Sequence, residues 1–202
     1  MRFRLATSLA LLAACGARSD ERSYSLEELP VREWTLGLPV SGNGRLVVTS
    51  SLVAPADWSV VKGHATFTCD GCTLGDDTTQ MQLPLPPNTW IGNAIDFGHL
   101  TLDTVGARAD FGDGRMHLVS YWRSPELELD ARVDGELHET AGETQVVGCV
   151  RFRPTEALER RDPKLYAIAT TTGAPRDEAG WFFIQLEGSL RDLRRLGTRC
   201  QI

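Results

Sequence analysis

Glu126-Leu127-Glu128-Leu129-Asp130-Ala131-Arg132-Val133-Asp134-Gly135-Glu136-Leu137-His138 alternates strictly between a charged or polar residue and an apolar or small one over thirteen positions. A period of two puts all the apolar side chains on one face of a strand and all the polar ones on the other. Such a strand belongs to an antiparallel sheet with a single face on the core, because parallel strands buried on both faces read as continuous apolar runs. The same alternation returns in Phe182, Ile184, Leu186, Gly188 and Leu190, and more weakly in Val61, Gly63, Ala65, Phe67 and Cys69. In Leu100 and Leu102 followed by Val105, Ala107, Ala109 and Phe111 the apolar phase slips by one residue, which predicts a bulge or bend near Asp103 and Thr104.

Turn signals separate these runs as a meander requires. Gly42-Asn43-Gly44 precedes Arg45-Leu46-Val47-Val48, and Asp113-Gly114 precedes Arg115-Met116-His117-Leu118, so both are read as hairpin turns. Leu83-Pro84-Leu85-Pro86-Pro87 ends a strand and begins an irregular connection. One stretch has helical character, Thr155 to Arg161. It breaks at Asp162-Pro163, where an N-cap and a first helical residue start a second short piece through Ala169. Leu158, Leu165 and Ile168 are then placed to cover one open end of a sheet core. The expected fold is all-β and mainly antiparallel: a curved sheet meander, half-barrel or sandwich-like, with one short broken helix near the C-terminus.

The start of the chain has a different character. Arg2 and Arg4 precede the apolar run Leu5 to Leu12, which is too short to span a bilayer but is the right length for a signal peptide. Leu12-Ala13-Ala14-Cys15 resembles the lipobox of bacterial lipoproteins. The organisation expected is a signal peptide at 1–14, a lipidated tether at 15–30 and a β-rich periplasmic domain at 31–202. Two or three long acyl chains of the palmitate type on Cys15 would hold the protein on a membrane, each buried methylene contributing about 0.8 kcal/mol. Gly16 stands where a retention aspartate would otherwise sit, so by resemblance to lipoprotein sorting the outer membrane is favoured over the inner. Removal of the signal leaves 19 basic and 27 acidic residues, a formal charge of -8. That balance argues against nucleic acid as a partner and leaves membrane contact to the lipid.

The four cysteines beyond Cys15 are Cys69, Cys72, Cys149 and Cys200, an even number suited to an oxidising compartment. Three pairings are possible. Cys69 and Cys72 are near enough in sequence to pair locally, which leaves Cys149 with Cys200. In Val146-Val147-Gly148-Cys149-Val150-Arg151-Phe152 the core face takes Val146, Gly148, Val150 and Phe152, so Cys149 points outward and its bridge would staple the C-terminal tail across the outer surface.

Cys69-Asp70-Gly71-Cys72-Thr73-Leu74-Gly75-Asp76, Ile95-Asp96-Phe97-Gly98-His99-Leu100, Gly112-Asp113-Gly114-Arg115, Ser124-Pro125-Glu126-Leu127-Glu128-Leu129, Val150-Arg151-Phe152-Arg153, Arg161-Asp162-Pro163-Lys164-Leu165 and Gly180-Trp181-Phe182-Phe183 follow one another in an order that resembles the C-terminal part of type II secretion system protein N, over about residues 60–195. The resemblance implies a non-enzymatic accessory or scaffold protein of the secretion machinery, with a β-rich periplasmic domain distantly similar to AsmA-like proteins, no catalytic residues, and other secretion components as partners. The lipobox in place of a membrane-spanning helix and the short N-terminal half depart from that family's pattern.

Candidates for chemistry have plainer readings beside them. A redox role for Cys69-Asp70-Gly71-Cys72 needs a helix N-terminus to lower a thiol pKa, whereas a turn-like string follows; a structural disulfide is expected instead. Zinc would need a second closely spaced pair of ligands, which Cys149 and Cys200 do not make. His64, His99, His117 and His138 fall on separate strands with no shared spacing. Glu126 with Glu128, and Asp130 with Asp134, read as a solvated charge ladder around Arg132. Ser41, Ser120 and Ser124 lack a nucleophile-elbow context. No enzyme, cofactor or metal site is therefore expected. The alternative to a secretion scaffold is a periplasmic lipid-binding or lipid-transfer protein, with Trp34, Trp58, Trp90, Trp122 and Trp181 as candidates for lining a groove, and a thiol oxidoreductase comes third.

Overall fold

The computed structural model describes residues 21–35, 37–82, 94–96, 98–171, 173–196 and 198–201. The signal peptide, Cys15, the first part of the tether, the 83–87 segment and Trp90 lie outside the described residues. The strands are β1 (Glu21–Ser25), β2 (Val40–Thr49), β3 (Gly63–Gly75), β4 (Gln80–Gln82), β5 (Ala94–Asp96), β6 (His99–Gly112), β7 (Arg115–Arg123), β8 (Leu127–Glu136), β9 (Gln145–Pro154), β10 (Phe182–Ser189) and β11 (Asp192–Leu196). Nine form one antiparallel sheet in the order β1-β2-β3-β6-β7-β8-β9-β10-β11, and β4 pairs with β5 as a separate ribbon. Of the architectures expected, the open meander is the one that forms: β1 and β11 are free edges, and among the described residues no second large sheet faces the first.

Local chemistry accounts for the joints. Asp113 and Gly114 take φ 50 and 72 between β6 and β7, the left-handed pair that a two-residue hairpin of matching twist requires. Helix α2 (Glu156–Arg161) begins at Thr155, whose side chain accepts from the Ala157 N–H at 3.2 Å; helix α3 (Pro163–Thr170) begins at Asp162, which accepts from the Leu165 N–H at 2.9 Å. The helix is thus broken where the sequence predicts, with Leu158 buried and Leu165 and Ile168 half-buried. A short helix, α1 (Val31–Trp34), was not foreseen.

Three expectations are corrected. The tether does not run to residue 30: Glu21–Ser25 pair with β2, and Tyr24 and Leu26 are buried, because the edge of an apolar sheet offers both a hydrogen-bonding template and a surface for these side chains. Gly42-Asn43-Gly44 is not a hairpin turn but lies inside β2, where the register against β3 shifts between Ser41 and Asn43. Nor does β6 carry a bulge at Asp103 and Thr104; its registers with β3 and β7 run through without a shift. The change of face is real all the same, since Leu102 and Val105 share one core cluster. It accompanies Gly71 of β3 at φ 62, and the extra residue lies on β3, where Gly71 and Cys72 stand against the single Gly42 of β2.

Two apolar clusters close the opposite ends of β3 and β6. One contains Leu26, Leu38, Cys69, Cys72, Leu74, Leu100, Leu102 and Val105, and the other Leu52, Val61 and Leu137 with Trp58, Phe111 and Met116 against them. Between these ends the same face is only half-buried: Leu118, Leu129, Ala131, Val133, Val150, Ile184 and Leu186 have neighbours within the sheet, and among the described residues no layer is stacked over them.

Candidate functional site

The registers fix which side chains stand next to one another across the sheet, and this defines two faces of unlike chemistry. On the apolar face one row runs Tyr24, Leu46, Phe67, Ala107, Ser120, Ala131, Val150, Ile184. A row on one side of it reads Cys69, Val105, Trp122, Leu129, Phe152, Phe182. The Phe152 and Phe182 rings stack with centroids 5.3 Å apart. In the first row Ser120 is the single hydroxyl between Leu46 and Ile184, and it donates to the Gly106 carbonyl at 3.0 Å, so its polarity is satisfied within the sheet.

Opposite lies a charged face. Asp130 accepts from Arg123 at 2.5 Å and from Arg151 at 2.9 Å, and Glu128 accepts from Arg153 at 2.6 Å. The guanidiniums of Arg151 and Arg153 lie 4.5 and 4.9 Å from the Trp181 ring centroid, a cation–π arrangement at the β9–β10 border. Burial pushes the Asp130 carboxyl upward, but the hydrogen bonds and charges of Arg123 and Arg151 outweigh it and hold it below the usual carboxylate range. Glu126 pairs with Arg161 at 3.1 Å. These acids are therefore salt-bridge partners of arginines, and Asp130 and Glu128 face cations on the neighbouring strands instead of each other.

The histidines show an order that spacing along the chain does not reveal. His64 and His117 are the cross-strand neighbours of Asp110, and His117 is in turn opposite Asp134. His117 Nδ1 lies 2.7 Å from Asp134, His64 Nε2 lies 3.2 Å from Glu21, and Asp110 is bridged to Arg108 at 2.6 Å. The Arg108 hydrogen bond lowers the Asp110 pKa, with the nearby His64 and His117 adding to it. This alternating acid and histidine row crosses the charged face from β1 to β8. Among the described residues no group of three or more His, Cys, Asp or Glu side chains is set to hold a metal ion.

Both expected cysteine pairs are joined, Cys69 to Cys72 and Cys149 to Cys200, with Cα separations of 5.9 and 5.7 Å. Cys69 and Cys72 are 1% and 0% exposed within a strand, which is the opposite of the accessible setting a reactive thiol needs. Cys149 points to the charged face, opposite Arg132 and Gln185. The tail it holds lies across that face: Thr198 donates to Gln185 at 2.7 Å, Arg199 sits 5.0 Å over the Phe183 ring, and its guanidinium lies 3.8 Å from Asp177.

The three tryptophans whose side chains are described do not converge. Trp58 packs near Phe111 at 6.3 Å, Trp122 lies on the apolar face, and Trp181 is beside two arginines on the charged side. Of the serines, Ser41 is exposed on β2 and Ser124 is buried, its hydroxyl accepting from the Glu126 N–H at 3.2 Å. A cleft of about 470 Å³ between the 26–32 segment and the start of β2 is lined by Leu26, Glu27, Val31, Arg32, Val40 and Ser41 among others. Among the described residues no helix is long and apolar enough to cross a membrane. No family model matches the chain, and neither the curated proteins nor the solved structures contain a match.

Proposed function

We propose that this protein is a non-enzymatic, lipid-anchored protein of the bacterial periplasm that binds the hydrocarbon part of a lipid on the apolar face of its open sheet. The observation that carries this reading is the apolar face itself, which extends across seven central strands without a charged residue and, among the described residues, without a covering layer. A face of this size left in water is costly, at roughly 25 cal/mol for each Å² of apolar surface, and its two ends are already closed by core clusters that make it a bounded surface. The lipobox cysteine supports the same reading, since only five residues separate Cys15 from the first strand and the sheet would stay close to a membrane. The test is to purify the lipoprotein from membranes, extract it with organic solvent and measure released lipid by mass spectrometry. Phospholipid in amounts comparable to the protein is expected; a protein that carries none, and takes up none from vesicles, ends the proposal.

A second reading, the scaffold of type II secretion that the ordered sequence motifs suggest, is favoured by the charged face. Val119, Tyr121 and Val147 are exposed there among arginines and carboxylates, the mixed composition typical of protein contact surfaces. A photo-crosslinking residue at Val119, in cells that make the secretion apparatus, would capture one of its components on this reading and none on the first.

A further inference from the structure

One cross-strand row on the apolar face differs from its neighbours at both ends. Followed from partner to partner it reads Arg22, Val48, Ala65, Ala109, Leu118, Val133, Gly148, Leu186, Arg195. Seven apolar or small residues in an unbroken line are bounded by an arginine on each edge strand, and both arginines are exposed. With eight interstrand spacings of about 4.8 Å, the row spans about 38 Å measured along the sheet. Ala65, Ala109 and Gly148 are its smallest members, and the next row beyond is apolar or glycine as well, with Phe111, Met116, Gly135 and Val146. A continuous apolar track thus crosses the strands.

We infer that this row seats an acyl chain of an anionic phospholipid, with the lipid phosphate taken by the arginine at the sheet edge, Arg22 first. The inference rests on the lipid-binding reading and adds the headgroup class to it. Hydrocarbon lying across the row meets only aliphatic side chains, and a phosphate at either end of the row meets a guanidinium, the side chain whose fork of N–H donors matches phosphate oxygens. Arg22 is the edge nearer to the anchor, seven residues after Cys15, so a lipid that comes from the membrane reaches it before Arg195. The chain as a whole is acidic, so long-range charge does not draw anionic headgroups to it. Selectivity for an anion must then come from a local contact, and proximity from the anchor.

The test uses the full lipoprotein in membranes, given phosphatidylglycerol or phosphatidylcholine that carries a photoactivatable group on one acyl chain, with adducts located by peptide mapping. Adducts are expected on β6, β7 and β8 peptides that contain Ala109, Leu118 and Val133, with phosphatidylglycerol labelling more strongly. Arg22→Gln with Arg195→Gln should lower phosphatidylglycerol labelling about threefold to fivefold, the scale of an exposed ion pair, and leave phosphatidylcholine unchanged, while Arg22→Lys should retain most of the preference. Both arginines are exposed edge residues, so circular dichroism of the glutamine variants serves as the check that the sheet is intact. Equal labelling by the two lipids, or a preference that survives both glutamine substitutions, overturns the headgroup inference while lipid binding stands. Absence of adducts on the apolar face with either lipid overturns lipid binding itself.

Discussion

The backbone of Gly42 lies against Cys72 so closely that a Cβ placed on the glycine would come within 2.9 Å of the Cys72 Cα. Gly42 also has φ 121, which L side chains rarely adopt. Gly42→Ala therefore combines strain with a collision against backbone and should destabilise the protein by about 2 kcal/mol or more in chemical denaturation. Gly71→Ala is the comparison: its φ of 62 is also left-handed, but a Cβ there has nothing within 4 Å, so the loss should be limited to about 1 kcal/mol of conformational cost.

The Cys149–Cys200 bridge joins β9 to the tail on the charged face and leaves the apolar face untouched. Its removal should act mainly on the unfolded chain. Cys149→Ala, Cys200→Ala and the double variant should each lose about 2 to 4 kcal/mol, with little change in the far-ultraviolet strand signal. Equal losses in all three are the signature of a shared bond; additive losses in the double variant would contradict it.

Asp130 holds Arg123 and Arg151 together while only 13% of its own side chain is exposed. Asp130→Asn should lower stability by about 1 to 2 kcal/mol at neutral pH, discounted because both arginines reach water. The sign with pH follows from the lowered carboxyl pKa. A carboxylate whose folded pKa is depressed contributes stability that is present above the unfolded value near 3.9 and is lost as pH falls through the folded value. Wild type and Asp130→Asn should therefore converge in acid, which pH-dependent urea denaturation checks. Asp76 adds to the same acid limb, its carboxyl lowered to about 2 by the Thr78 and Thr79 backbone N–H groups.

If a lipid on Cys15 is the anchor, as proposed, replacement of Cys15 by Ser should leave the protein folded and move it from the membrane fraction to the soluble periplasmic fraction. Fractionation followed by immunoblotting checks this, and a variant that stays in the membrane after a salt wash would mean that a protein surface holds it.

How far the sequence carried the fold is clearest from particular residues. The alternation from Glu126 to His138, the Asp113-Gly114 turn, the break at Asp162-Pro163 and the outward Cys149 are local signals, each decided by a few neighbouring residues, and each is where it was expected. Gly42-Asn43-Gly44 misled because a glycine pair that suits a turn also suits a strand pressed against a disulfide, and only Cys72 distinguishes the two. Glu21–Ser25 misled because a polar pentapeptide with one buried tyrosine has no strand signature until an edge is there to receive it. The rows were illegible altogether. That His64 and His117 flank Asp110, or that Arg22 and Arg195 end one line, depends on the sum of registers through several ladders, and no single strand encodes it.

The order of strands in the large sheet follows the order of the chain from β1 to β11, interrupted only by the β4–β5 ribbon. Every strand after the first thus finds its hydrogen-bonding template already made by residues that precede it. Such a sheet can assemble by vectorial addition as the polypeptide emerges N-terminus first from a synthesis or translocation channel, with no strand waiting for a distant partner. The one long-range closure left to the end is Cys200 finding Cys149, so covalent locking of the tail would mark the completion of the molecule.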